Sequence, residues 1–187
     1  MNRLDLTITF HGPFRVSTGH ARAGIDAAID AKNPLPSTSL KGVMRGTAKL
    51  LLGENALWVE KVFGSHTYEC PWRWSAATAD WQPTTAAARV AIDPATHTAR
   101  PDMLGISEQT GATTAAFSIT QRGHIDPDEL ETHLRVLAIS AQATRSLGAN
   151  RRRGLGWVSL SCDHPLDRDA VETFLRLRAQ LSPQEAE

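Results

Sequence analysis

Leu4, Leu6, Ile8 and Phe10 alternate with Asp5, Thr7 and Thr9 near the start of the chain. This period of two is that of a strand with one buried face, so the residues that follow must supply a layer to cover one side of a sheet. Two helical stretches meet that demand. The first runs from Ser39 to about Leu52, with Ser37 or Thr38 as its cap and Gly53 as its stop, and Leu40, Val43, Leu51 and Leu52 can face a core. The second starts at Asp126-Pro127-Asp128-Glu129 and runs to about Leu147, with Leu130, Leu134, Leu137 and Ala141 on one face. A short helix is expected over Glu54 to Phe63 and a polar-faced terminal helix over about Asp169 to Leu181.

Trp72 and Trp74, Arg89 to Ile92, and Ala115, Phe117 and Ile119 read as further strands. In a last strand Trp157, Ser159 and Ser161 alternate with Val158 and Leu160. Gly12 to Pro36 reads as a long loop, and Pro94 to Thr113 as a second one without periodicity, a length unusual inside a compact domain and often functional. The order strand, helix, strands, helix, strand predicts an α+β, ferredoxin-like (RRM-like) sandwich, one domain over residues 1–187 with an insertion at about 94–113. Many RNA binders and many metabolic proteins share this fold, so it names no function.

No run approaches the roughly 18 apolar residues of a membrane helix, and the start MNRLDLTITF lacks a secretory pattern, so a cytoplasmic protein without a membrane partner is expected. The formal net charge is zero, which argues against a protein that simply coats nucleic acid. Sixteen of the twenty basic residues are arginine, whose planar fork suits phosphates and base stacking. Cys70 and Cys162 lie far apart without a CxxC partner. His66 with Cys70, and Cys162 with His164, have spacings that arise by chance, and no metal site is expected from them.

Two segments concentrate basic residues. In the first helix Lys41, Arg45 and Lys49 recur every four residues, beside Gly42 and Gly46, which leave room for another backbone. A cationic stripe beside small residues suits a phosphodiester, and a solvated helix face is the plain alternative. In Gly148-Ala149-Asn150-Arg151-Arg152-Arg153-Gly154-Leu155-Gly156, three arginines sit between glycines, without the Gly-Lys-Ser/Thr ending of a Walker loop. Its plain alternative is a solvated basic turn.

PLPSTSLKGVMRG resembles the Pro-Gly-Ser-Ser-Leu-Lys-Gly-x-x-Arg segment of the CRISPR RAMP superfamily, and SLGANRRRGLGWV its glycine-rich loop. ARVAIDPATHTARPDMLGISEQTGATTAAFSI is similar to the family's Arg-x-x-Ile-Asp segment with its hairpin and return strand, and LWVEKVFG to its helix ending in Leu-Phe-Gly. The four occur in family order, and the multi-copy backbone subunit of type III effector complexes (the Cas-seven type) is the nearest match. The resemblance implies that Lys41, Arg45, Lys49, Asn150, Arg151, Arg152 and Arg153 hold guide RNA. It implies a thumb over Pro94 to Thr113, with His97, Met103 and Leu104 as candidates for its tip. The implied partners are guide RNA, target RNA, further copies head-to-tail and other effector subunits.

Family members that cut target RNA carry an aspartate in the loop after the first strand, often behind an apolar residue. Asp26 in Gly24-Ile25-Asp26 takes that place, with Asp30 as rival, and Mg²⁺ is the expected cofactor of such a site. Fewer residues separate Asp26 from Ser39 than in the cutting members, and Pro36-Ser37 replaces the usual Pro-Gly. Three other readings stay open: the same scaffold without cleavage, a guide-processing endoribonuclease with His20 as base, and a ferredoxin-like small-molecule protein.

Overall fold

The computed structural model describes residues 2–54, 56–164 and 166–179. Four strands make the main sheet: β1 (Arg3–Phe10), β2 (Trp72–Trp74), β5 (Thr114–Gln121) and β6 (Val158–Cys162), in the order β2-β5-β1-β6 with every neighbour antiparallel. With α1 (Ser37–Leu52) between β1 and β2 and α3 (Pro127–Ala143) between β5 and β6, this is the ferredoxin-like sandwich. The short helix α2 (Leu57–Phe63) follows α1, and α4 (Arg168–Ala179) packs against α3. The expected end of the terminal helix, at residues 180 and 181, lies outside the described residues.

Leu4, Leu6, Ile8 and Phe10 of β1 point into the core together with Phe117 and Ile119 of β5. Burying a side chain such as Ile8 stabilises the fold by about 1.5–3 kcal/mol. The face α1 buries is the row Leu40, Met44, Ala48 and Leu52, while Val43 and Leu51 are only half-buried. Its cap also differs from expectation. Pro36 stands at the N-cap and Ser37 is already helical, so neither Ser37 nor Thr38 caps it by a side chain. The second main helix stops at Ala143, short of Leu147, because the chain turns there to bring Ser146 beside Trp157.

The segment expected as an aperiodic loop at 94–113 is instead mostly strand. β3 (Thr85–Ile92) and β4 (Ala99–Gln109) pair as a separate antiparallel hairpin, starting well before residue 94. Its turn is held by Asp93, whose Oδ1 accepts the N–H groups of Ala95 at 2.8 Å and Thr96 at 3.2 Å. Those bonds hold the Asp93 carboxyl below its usual pKa. A projecting two-stranded ribbon has no buried face over most of its length, so it shows no apolar alternation.

His133 of α3 is 3% exposed and accepts a hydrogen bond from Trp72 Nε1 at Nδ1, 3.1 Å away. Burial pushes its pKa down from 6.5 to about 4, Glu129 raising it and Lys61 lowering it as smaller effects. The unfolded chain therefore takes up a proton as pH falls through 6.5, while the folded chain does not until about 4. Stability contributed by neutral His133 is complete above that window and is lost through it, by up to about 3 kcal/mol. Thermal melts at pH 7 and pH 5 should show this loss. His133→Gln, which keeps an acceptor for Trp72, should flatten it, and an unchanged pH slope would contradict the assignment.

Candidate nucleic-acid interface

Strand pairing gathers the irregular segments at one end of the sheet. Phe10 at the end of β1 lies opposite Val158 at the start of β6, and Thr9 opposite Thr114 at the start of β5. The glycine loop, the stretch after β1 and the base of the β3–β4 hairpin therefore converge. Phe14 exchanges backbone hydrogen bonds with Thr110, at 2.8 and 3.0 Å, which ties that stretch to the hairpin base. Its other side is tied to the glycine loop: Ala149 N–H donates to Arg15 O at 2.7 Å and Gly156 N–H to Pro13 O at 2.8 Å. A Cβ on Gly148 would overlap the Arg15 carbonyl, and one on Gly156 the Leu147 carbonyl. Both glycines also have positive φ, so no other residue closes this neck without strain.

Arg151–Arg153 form one 3-10 turn entered from Asn150, which adopts the left-handed conformation at φ 57°. Arg151 and Arg153 are exposed, and the side chain of Arg152 lies outside the described set. Beneath them sits Arg15, only 9% exposed, with its Nε buried and unpartnered. With its amide turned oxygen-inward, Asn150 accepts from Arg15 Nη2 at 2.5 Å and from Arg89 Nη1 of β3 at 2.7 Å. The opposite orientation would set its NH₂ against two guanidiniums. Desolvation, and then the charge of Arg89, pull the Arg15 pKa below the usual guanidinium value. Among the described residues, Arg15, Arg89, Arg151 and Arg153 have no ion-pair partner. Guanidiniums without a paired carboxylate have the chemistry that suits phosphate oxygens.

Sequence reasoning missed Arg15 and the role of Arg89. Arg89 opens the Arg-x-x-Ile-Asp segment, so a signal for it was present, whereas Arg15 followed only Pro13-Phe14 in a loop.

Asp26 lies at the foot of the same hairpin. Its Oδ2 accepts the Ile106 N–H at 2.7 Å and its own N–H donates to Ile106 O at 2.8 Å. That oxygen is 3.9 Å from where a Cβ of Gly105 would stand, and Gly105 pairs with Arg89. Residues paired across strands share a face, so Asp26 and Arg89 lie on one side of the hairpin, and no ion pair joins them among those of the described residues. Asp30 instead accepts the Lys32 N–H at 2.9 Å and shapes a turn. His20 is exposed, its Nδ1 3.1 Å from Thr18 O. Among the described residues no three His, Cys, Asp or Glu side chains group to hold a metal. A Mg²⁺ ion at Asp26 fits only as a shared site, with water and substrate phosphates as its other ligands.

The α1 cations are engaged differently from a free stripe. Lys41 Nζ stands 5.4 Å from the centre of the Trp74 ring, Lys49 pairs with Glu54, and Arg45 buries an unpartnered Nε. Gly42 and Gly46 face open space. Among the described residues no side-chain hydrogen bond or ion pair joins these cations to the glycine loop, although Thr47 and Thr144 hydroxyls meet at 2.9 Å between α1 and the end of α3. On the hairpin, His97 lies in the turn with φ 55°, while Met103 and Leu104 stand exposed on the β4 arm below it.

The sequence pattern of the RAMP superfamily matches residues 7–159. The chain belongs to the RAMP superfamily. The RAMP match takes in α1, the hairpin and the glycine loop, and leaves α4 outside. A chain of the type III-B Cmr-beta complex bound to cognate target RNA superposes with a TM-score of 0.60 and 18% identity, over 86% of this chain and 59% of that one. A chain of the apo type III-B Cmr-beta complex superposes with a TM-score of 0.66 and 11% identity, over 90% of this chain and 98% of that one. No curated protein sequence matches significantly. No helix among the described residues of this RAMP chain is long and apolar enough to cross a membrane.

Proposed function

We propose that this chain is a guide-RNA-binding backbone subunit of a type III CRISPR effector complex, packed head-to-tail in several copies in the cytoplasm. The observation that carries this reading is the buried, unneutralised Arg15 guanidinium gathered with Arg89 and Asn150 under the arginine turn. A desolvated cation without a carboxylate is stabilised by an incoming anion, and successive phosphates of a single strand supply several. Family membership, and likeness to chains of type III-B Cmr-beta complexes, one of them a complex bound to cognate target RNA, support it. Target RNA and other effector subunits are its remaining partners. The hairpin, with exposed Val90, Ile92, Met103 and Leu104, is the thumb in this reading, an apolar wedge for separating stacked bases.

Cutting of the paired target is assigned to Asp26. The Ile106 N–H fixes its carboxylate at the thumb base, where it orients the 2′-hydroxyl of a nucleotide for in-line attack. Mg²⁺, when bound there with the phosphate, supplies stabilisation of the charge that develops on oxygen.

The test is charge reversal of Arg151, Arg152 and Arg153 to Glu. RNA copurifying with the chain should fall to background while the melting temperature is kept, since the turn is a surface loop. Wild-type RNA content in the variant would rule out this loop as the grip.

A further inference from the structure

Trp157 is 61% exposed, while Trp58, Trp72, Trp74 and Trp81 are buried or half-buried. It is also rigidly placed. Gly156 closes the neck behind it, its carbonyl accepts the His11 N–H at 2.9 Å, and Ser146 bridges to it. Val158 and Leu160 point into the core, so Trp157 and Ser159 point to the open face of the sheet. The pairing of Phe10 with Val158 sets His11 across from Trp157 on that same face, and His11 Nε2 meets Ser159 Oγ at 2.8 Å. Two rings and a hydroxyl thus stand together, four residues beyond the last arginine of the turn.

The opposite end of the open face has another character. A groove there is lined by Asp5, Asp163 and Arg3, the last already paired with Asp5 at 2.7 Å. Those carboxylates repel a phosphodiester, so a strand leaving the arginine turn is favoured only at the Trp157 end.

We propose that Trp157 is a base-stacking subsite for single-stranded RNA: the nucleotide beside the phosphates held by the arginine turn lays its base on the indole, with His11 and Ser159 at the base edge. This rests on the RNA-binding reading above and extends it from the phosphate backbone to the base. The backbone that carries the ring is held by pairing, so only the two side-chain torsions of the indole are left to order in the stack. A stack of this kind is worth about 1–3 kcal/mol, which corresponds to roughly 5- to 150-fold in affinity.

The experiment measures binding of a labelled oligouridine and of a matched oligomer carrying abasic nucleotides to wild type, Trp157→Ala and Trp157→Phe. Trp157→Ala should weaken oligouridine binding about ten-fold, Trp157→Phe should restore most of it, and all three should bind the abasic oligomer alike. RNA should quench an emission component that both variants lack. Equal loss on both oligomers, or none on oligouridine, overturns the subsite while leaving the arginine turn as the grip. Reduced self-association with unchanged RNA affinity makes the ring a contact between copies and overturns it as well. If wild type binds neither oligomer, the RNA-binding reading itself fails.

Discussion

Asp26→Asn is expected to remove target cutting by the assembled complex, by a factor on the order of 10² or more, with target binding intact. The substitution is chosen for its geometry. An Asn side-chain oxygen can still accept the Ile106 N–H that Asp26 Oδ2 accepts at 2.7 Å, so the hairpin base stays tied while the negative charge is gone. Asp26→Ala removes both. Labelled target RNA with Mg²⁺, with and without chelator, gives the rates. Loss in both variants assigns chemistry to the carboxylate. Wild-type cutting by Asp26→Asn with loss only in Asp26→Ala makes Asp26 an anchor of the thumb. Asp30→Ala should leave the rate nearly unchanged, since Asp30 is spent on a turn with Lys32.

Arg15→Met is expected to separate stability from binding in opposite directions. The guanidinium is buried, its Nε has no partner, and the like-charged Arg89 acts on it. Methionine fills similar space without a charge, so the RNA-free chain should become more stable, by about 1–3 kcal/mol. RNA affinity should fall about ten-fold or more, because charge-assisted contacts to phosphate are lost and Asn150 keeps only Arg89. Inorganic phosphate or RNA should raise the melting temperature of wild type more than that of the variant. A variant that is less stable and binds RNA as wild type would show Arg15 to be structural.

The sandwich was readable because each of its strands has one dry face. Leu4 to Phe10, Ala115 to Ile119 and Val158 to Leu160 announce their direction by alternation, and the two main helices by their apolar rows. The hairpin came from the family resemblance and a short strand at Arg89 to Ile92 rather than from alternation along its length, since β3 and β4 are wet on both faces over most of it and β4 carries Pro101 and Gly105. At the site, the glycines and arginines of residues 148–156 stood out as a string. Their depth did not, because it depends on Arg15 from the stretch after β1 and Arg89 from β3, about 135 and 61 positions away from Asn150. The α1 stripe shows the converse. Its spacing is regular, but Lys41 is occupied by Trp74 from β2, and Lys49 by Glu54 just past the end of the helix.

The central claim is a grip on RNA backbone by the cations at one end of the sheet, and the salt dependence of affinity tests it most directly. Binding of labelled single-stranded RNA should weaken linearly in log–log form as salt rises, with a slope of about −3 for four phosphates contacted and a steeper one for more. Replacing Arg151, Arg152 and Arg153 by Glu should flatten that line. A slope near zero, or no saturable binding by the wild-type chain at low salt, would contradict the account.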